Sequence, residues 1–163
     1  MLIYNPRQVA LITCRGKHLV LGRETELDEI LPLTWHSPAS SHPPLYAIFV
    51  NKNLMGAKII EESRVFVVNF IPYKMAEKAL HAMTVSGEFS DKIETIGLHP
   101  APCEKLVDCF ALQHAIGWLE CEVIESKETG DSMLFLGKVV HSEMTADDNR
   151  PFHIEGDRFT TTR

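Results

Sequence analysis

Apolar residues along this chain recur with the period of a strand far more often than with that of a helix. Val9 to Cys14 (VALITC) predicts a strand. Arg15-Gly16-Lys17 then reads as a turn, with His18 to Leu21 extending a hairpin. Gly22 to Asp28 is charged and predicts a loop. Leu31 to Trp35 (LPLTW) predicts a short buried strand, and Leu45 to Val50 (LYAIFV) a second. Between them, His36 to Pro44 reads as a dense turn of hydroxyls, imidazoles and prolines. Adjacent Pro43 and Pro44 fix φ and stiffen that turn, and a rigid polar loop on a scaffold is a place to look for a binding site. Val65 to Ile71 (VFVVNFI) is apolar on both faces except at Asn69 and predicts a mid-sheet strand. Ala115 to Ile124 and Ser132 to His141 predict two more strands around a Glu128–Asp131 turn. In the first of these, Trp118, Glu120 and Glu122 alternate with Leu119, Cys121 and Val123, which predicts one wetted side. The stretch from Met144 is polar and irregular until Pro151 to Ile154, a final edge strand.

Helical spacing is confined to short insertions. Leu54 to Glu62 carries Leu54, Met55, Ala57, Ile59 and Ile60 at positions that suit a short helix. Lys74 to Thr84 predicts an amphipathic helix whose buried stripe is Met75, Ala79, Ala82 and Met83. Ser90 is read as the N-cap of a further short helix with acidic residues in its first turn, ended by Gly97. Pro100 and Pro102 mark an extended linker. Many short strands with a few inserted helices predict a mainly β fold, a β-barrel with inserted helices, in one domain over residues 1–163. No G-x-G-x-x-G follows the first strand, and there is no Walker lysine and no G-x-S-x-G.

Composition narrows the function classes. The chain has 163 residues, 45% hydrophobic and 23% charged, within the ordinary globular range. A formal net charge of −6 argues against a nucleic-acid surface. No apolar run approaches the roughly 18–20 residues of a membrane span, and the N-terminal stretch lacks a signal-peptide layout, so a cytoplasmic protein is expected. Cys14, Cys103, Cys109 and Cys121 form no C-x-x-C pair, so no metal site is expected, and Cys14 and Cys121 read as small buried hydrophobes.

Several ordered elements carry a resemblance. They are Leu33-Thr-Trp-His-Ser-Pro38, Ser40 with Pro43-Pro44-Leu45-Tyr46, and Ile60-Glu-Glu-Ser63 before Phe66-Val-Val-Asn69. Val85-Ser-Gly87 with Asp91-Lys92 and Gly97-Leu98, Leu119-Glu-Cys121, and Leu134-Phe-Leu-Gly-Lys-Val139 follow in order. Together they resemble the flavin reductase-like family, whose fold is the FMN-binding split β-barrel. The resemblance implies reduction of a flavin by NADH or NADPH, with FMN bound between the subunits of a homodimer, or flavoredoxin-like electron transfer. By motif position, Leu33, Thr34, Trp35, His36 and Ser37 would border the flavin ring. Asn51 and Lys52 would lie near the ribityl chain and phosphate. Ser86, Gly87 and Lys92 would complete the phosphate side, and His153 would approach the flavin face and the nicotinamide.

The chain also departs from the family pattern. Relatives usually carry Asn at the position of Glu29 and Met-Thr at Leu31-Pro32. They often carry an Arg, an aromatic and a Ser or Thr where Leu54, Met55 and Gly56 stand, and Arg-Asp where Glu88-Phe89 stand. Two function classes follow. One is an FMN-binding NAD(P)H-dependent flavin reductase or electron-transfer flavoprotein, favoured by Trp35-His36-Ser37, Asn51-Lys52 and Asp91-Lys92. The other is a split-barrel homodimer that has lost FMN, or takes another ligand such as haem, and serves as a binding or sensing module. Leu54, Met55, Gly56 and Glu88 favour that second class.

Overall fold

The structure, a computed structural model, describes residues 2–85 and 91–162. Its main sheet has seven antiparallel strands in the order β3-β2-β6-β9-β10-β5-β4. These are β2 (Ala10–Val20), β3 (Arg23–Leu33), β4 (His36–Ser41), β5 (Pro44–Asn51), β6 (Val65–Phe70), β9 (Gly117–Thr129) and β10 (Ser132–Met144). A second sheet joins β1 (Arg7–Gln8), β11 (Pro151–Glu155) and β12 (Arg158–Thr161), and a third pairs β7 (Pro100–Pro102) with β8 (Phe110–Leu112).

One link dictates the shape of the main sheet. β3 and β4 are its two edges, yet only Thr34 and Trp35 separate them along the chain. Six strand spacings in a flat sheet would cover roughly 29 Å. Two intervening residues bridge at most about 11 Å. The sheet therefore rolls up until its edges meet. At the seam the Phe49 amide donates to the Trp35 carbonyl at 3.0 Å. The Arg7 guanidinium donates to the Thr34 carbonyl at 2.7 Å and the His36 carbonyl at 3.4 Å.

Strand alternation fills the barrel and coats it. On β2, Ala10, Ile12 and Cys14 point into a core with Ile48, Val50, Phe66, Val68, Cys121 and Phe135. Helix α1 (Met55–Ser63) contributes Ala57, Ile59 and Ile60 to that core. On the other side, Leu11 of β2 and Val9 just before it pack with Ile30 against α2 (Ala76–Thr84) and α3 (Lys92–Ile96). Burial on both faces explains why VALITC and VFVVNFI read as unbroken apolar runs. Asn69 sits in this dry interior with its polar groups matched: its amide donates to the Leu11 carbonyl and Thr13 Oγ1, and its oxygen accepts from the Leu112 amide.

Several expectations need correction. Arg15-Gly16-Lys17 is no turn, and 22–28 is no loop except at its first residue. β2 and β3 form one long hairpin whose turn is Leu21-Gly22, with φ of 50° and 79°. Two successive positive φ values match the strand twist; Gly22 adopts its value freely, while Leu21 takes the same region as a non-glycine residue. The charges read as a loop are cross-strand pairs: Arg15 Nε and Nη2 donate to the two Asp28 carboxylate oxygens, and Lys17 meets Glu24 at 2.9 Å. The proline-rich turn is mostly β4, an edge strand where a missing N–H costs no ladder bond on the open side. β11 is central in its sheet, between β1 and β12. Pro100–Pro102 pairs as β7. Asp91 caps α3, its carboxylate accepting from the Ile93 and Glu94 amides, while Ser90 lies outside the described residues.

Glu120, expected on the wet side of its strand, is instead fully buried. Its carboxylate accepts from the amides of Glu104 and Lys105 at 2.7 Å and Leu106 at 3.0 Å, and from the Trp118 indole at 3.2 Å. Burial by itself pushes this carboxyl up, but the four donors outweigh it and hold it below the usual carboxylate range. The loop before β8 is thus organised by one charge. Because the folded-state pKa is depressed, this contribution is fully present above about pH 4.5 and is lost as the pH falls through the lower folded value. Glu120→Gln is expected to destabilise the protein by about 1–3 kcal/mol at neutral pH. Denaturant titrations at pH 7 and pH 4 check this, and the gap between variant and wild type should narrow at the lower pH.

Candidate functional site

The free edge of β3 borders a cavity of about 510 Å³, walled by Glu29, Leu31, Pro32, Asn53, Leu54, Met55, Ala82, Met83, Thr84, Val85 and Lys92. A smaller cavity of about 130 Å³ shares Pro32 and Met83 with it and continues past Thr34 to His153 and Phe159. The two form a groove running from α3 along β3 to the C-terminal hairpin. An edge strand offers unpaired backbone groups, so a ligand lying here would meet main-chain donors and acceptors as well as side chains.

Its walls are mainly apolar. Met83, expected as core, is 65% exposed and lines both cavities. It stands beside the buried face of α2, which is Ala76, Ala79 and Ala82, and turns to the groove instead of the core. Gly56 opens the α1 side: a Cβ there would fall 2.4 Å from Leu31 Cδ1. The Leu31 side chain thus occupies the space that a side chain at position 56 would need. These two family departures are one packing solution.

Charge is concentrated at the α3 end. Lys92 Nζ donates to Glu29 Oε1 at 2.8 Å and to the Ile30 carbonyl at 2.7 Å, and Glu29 Oε1 also accepts from the Ile30 amide at 2.9 Å. Both side chains are only 6% exposed. The pair caps the polar groups of Ile30, so it also closes the β3 edge at that point.

The residues expected to bind ligand are divided by the fold. Lys92 lines the main cavity, and Thr34 and His153 the adjoining one. His153 Nε2 lies 3.0 Å from the Gly156 carbonyl, and its ring meets Phe159 edge-on. Trp35, His36 and Ser37 line a different cavity of about 480 Å³, with Tyr4, Arg7, Phe49, Thr129 and Ser132. Leu33 packs against the barrel core. Asn51 lines none of the three cavities; its Oδ1 accepts from the amide of Asn53, which does line the groove. Lys52 is paired with Glu128 at 2.6 Å. Ser86 and Gly87 lie outside the described residues. Val85, part of the Val85-Ser-Gly87 motif, also lines the groove; Asn53, Thr84 and Phe159 do so with nothing local in the sequence to mark them, because the groove forms from separate elements.

His36 is a strut of the seam. Its Nδ1 lies 2.8 Å from the Tyr46 hydroxyl and its Nε2 2.9 Å from the Gln8 carbonyl. The carbonyl can only accept, so Nε2 carries the proton and Nδ1 accepts from Tyr46. Burial pushes the Tyr46 phenol up to about 12, which keeps it a donor. Burial also lowers the His36 pKa; the Gln8 carbonyl opposes this and the Arg7 charge adds to it.

With this geometry in view, the chain can be placed among known proteins. The model of the Flavin reductase like domain matches residues 3–162, and the chain belongs to that family. An uncharacterised protein of Archaeoglobus fulgidus is 28% identical over 116 residues, 71% of this chain and 65% of that protein. The match thus spans just under two thirds of that relative's length. The FMN-binding protein from Thermus thermophilus with bound p-hydroxybenzaldehyde superposes with a TM-score of 0.84 at 18% identity, covering 99% of this chain and 89% of that one. The NADH:FAD oxidoreductase of Streptomyces globisporus C-1027 gives 0.81 at 20% identity, covering 98% and 87%. The fold is the split β-barrel of flavin reductase-like proteins.

A neutral His36 couples the seam to pH. Its folded pKa lies below the ordinary value, so the unfolded chain takes up the proton first as pH falls. The stabilisation is complete above about pH 6.5 and declines as pH drops through the folded value. His36→Leu should cost about 1–3 kcal/mol at pH 7.5, by leaving Tyr46 and Gln8 unpaired. Urea denaturation at pH 7.5 and 5.5 checks it, with the difference between variant and wild type shrinking at the lower pH.

Proposed function

We propose that this protein is an FMN-binding, NAD(P)H-dependent flavin reductase or a flavoredoxin-like electron carrier, with the flavin lying in the β3-edge groove. The observation that carries this reading is the groove itself, an elongated apolar slot along an open strand edge with a lysine at one end. The residues present fit the group. Leu31, Pro32, Leu54, Met55 and Met83 suit the faces of a flat ring, Asn53 offers amide groups to a ribityl chain, and Lys92 marks the phosphate end. Bound flavin would supply the redox chemistry, accepting a hydride from NADH or NADPH without a proton-transferring side chain. The protein's task is then to bind, orient and shield. Thr34 and His153 flank the far end, where a nicotinamide could approach. Resemblance to an NADH:FAD oxidoreductase and an FMN-binding protein supports the same class.

Purified protein titrated with FMN should quench flavin fluorescence to saturation at about one FMN per chain, and should then oxidise NADH or NADPH. No saturable quenching would refute the flavin reading and favour the flavin-free binding module.

The reading includes a homodimer. Tyr4 and Trp35 are 46% and 43% exposed and stand edge to face at 6.0 Å, beside Phe49, in the second large cavity. Exposed aromatic groups gathered on one concave face suit a partner surface, here a second copy of this chain. Light scattering should give a dimer mass, and Trp35→Asp should weaken association by at least about tenfold. A monomeric wild-type protein at micromolar concentration would contradict it.

A further inference from the structure

We propose that Glu29 sets the selectivity of the groove by neutralising Lys92, so that a flavin is held by its ring and ribityl chain while its terminal phosphate adds little. This inference rests on the flavin reading above and goes beyond it. Lys92 is the only Lys or Arg among the described residues lining either part of the groove. A lysine that anchors a phosphate needs an uncompensated ammonium with hydrogens to give. Here two of its three donors are committed, one to the Glu29 carboxylate and one to the Ile30 carbonyl.

The carboxylate matters more than the lost donors. Glu29 itself lines the cavity, so a phosphate approaching Lys92 meets an anion alongside the cation. The buried pair presents almost no net charge, so a phosphate's attraction to the lysine and its repulsion from the carboxylate largely cancel. Nor can Glu29 swing aside cheaply, because its Oε1 also holds the Ile30 amide. Moving it would leave a buried amide and a buried ammonium without their partner. The pair therefore acts as one neutral wall. Riboflavin and FMN, which share ring and ribityl chain and differ in the phosphate, are predicted to bind almost alike.

The test is equilibrium binding followed by flavin fluorescence, with riboflavin and FMN titrated separately into the full-length protein. The wild type should bind the two within about threefold of each other. Glu29→Gln frees the ammonium and should tighten FMN by roughly tenfold while moving riboflavin by less than about twofold. The double variant Glu29→Gln with Lys92→Met removes both charges, leaves neither unpaired, and should restore the wild-type ratio. That variant also answers the question if Glu29→Gln alone fails to fold. A wild type that prefers FMN by more than roughly tenfold would overturn the proposal. So would a double variant that loses FMN binding while keeping riboflavin, since Lys92 would then be holding the phosphate despite Glu29. Both results would leave the flavin reading standing. Failure of the wild type to bind either flavin would remove that reading and this inference with it.

Discussion

The structure depends on a two-residue link. Thr34 and Trp35 join the opposite edges of a seven-stranded sheet, and no flat arrangement lets so short a segment do so. Closure creates the barrel interior filled by Phe66, Phe135 and the α1 isoleucines. It also brings Arg7, His36, Tyr46 and the Gln8 carbonyl into one hydrogen-bonded seam. The same turn separates the predicted ring-binding motif into two sets. Thr34 faces the β3 groove, while Trp35 and Ser37 face the aromatic cavity on the other side. Seam and site are consequences of one topological constraint.

Polar groups buried by this closure are matched rather than eliminated. Glu120 gathers three backbone amides and an indole, Asn69 ties β2 to β8, and Lys92 and Glu29 cap Ile30. An unmatched charge or amide in these positions would cost more than its pairing contributes, so each group specifies its surroundings as well as stabilising them. At the groove this has a functional edge. The contacts that close the open strand edge at Ile30 also determine how much charge a ligand meets there. Structural satisfaction and ligand preference are decided by the same atoms.

The family departures take on a different meaning once paired in space. Gly56 and Leu31 fit each other, because a Cβ at one would strike the side chain of the other. Glu29 and Lys92 likewise form a unit although 63 positions separate them. Pro32 sits on an edge strand whose outer side makes no ladder bond, so the missing N–H leaves the sheet intact and only alters what the groove offers. Each departure, taken alone, looks like the loss of a ligand contact. Together they line one groove, with Gly56 and Leu31 fitted to each other and Glu29 set against Lys92.

What the sequence determined by itself was the part governed by local chemistry. The runs expected at 9–14, 65–71, 115–124 and 132–141 are strand over 10–14, 65–70, 117–124 and 132–141, because β-branched and aromatic residues suit a pleat buried on one or both faces. Gly97 ends α3 in a left-handed conformation, and Cys14 and Cys121 are buried, for equally local reasons. The ordered motifs also carried the family and its barrel. Tertiary structure decided the rest. The charged 23–28 stretch is strand because Arg15 and Lys17 pair across the hairpin with Asp28 and Glu24, partners that local propensity cannot see. Glu120 is buried because a distant loop aims its amides at it, and Met83 lies on the wall of a groove that separate elements build. Lys92 looked like a free phosphate ligand until the fold set Glu29 against it. Charge compensation depends on distance in space, and only the closed barrel supplies that distance.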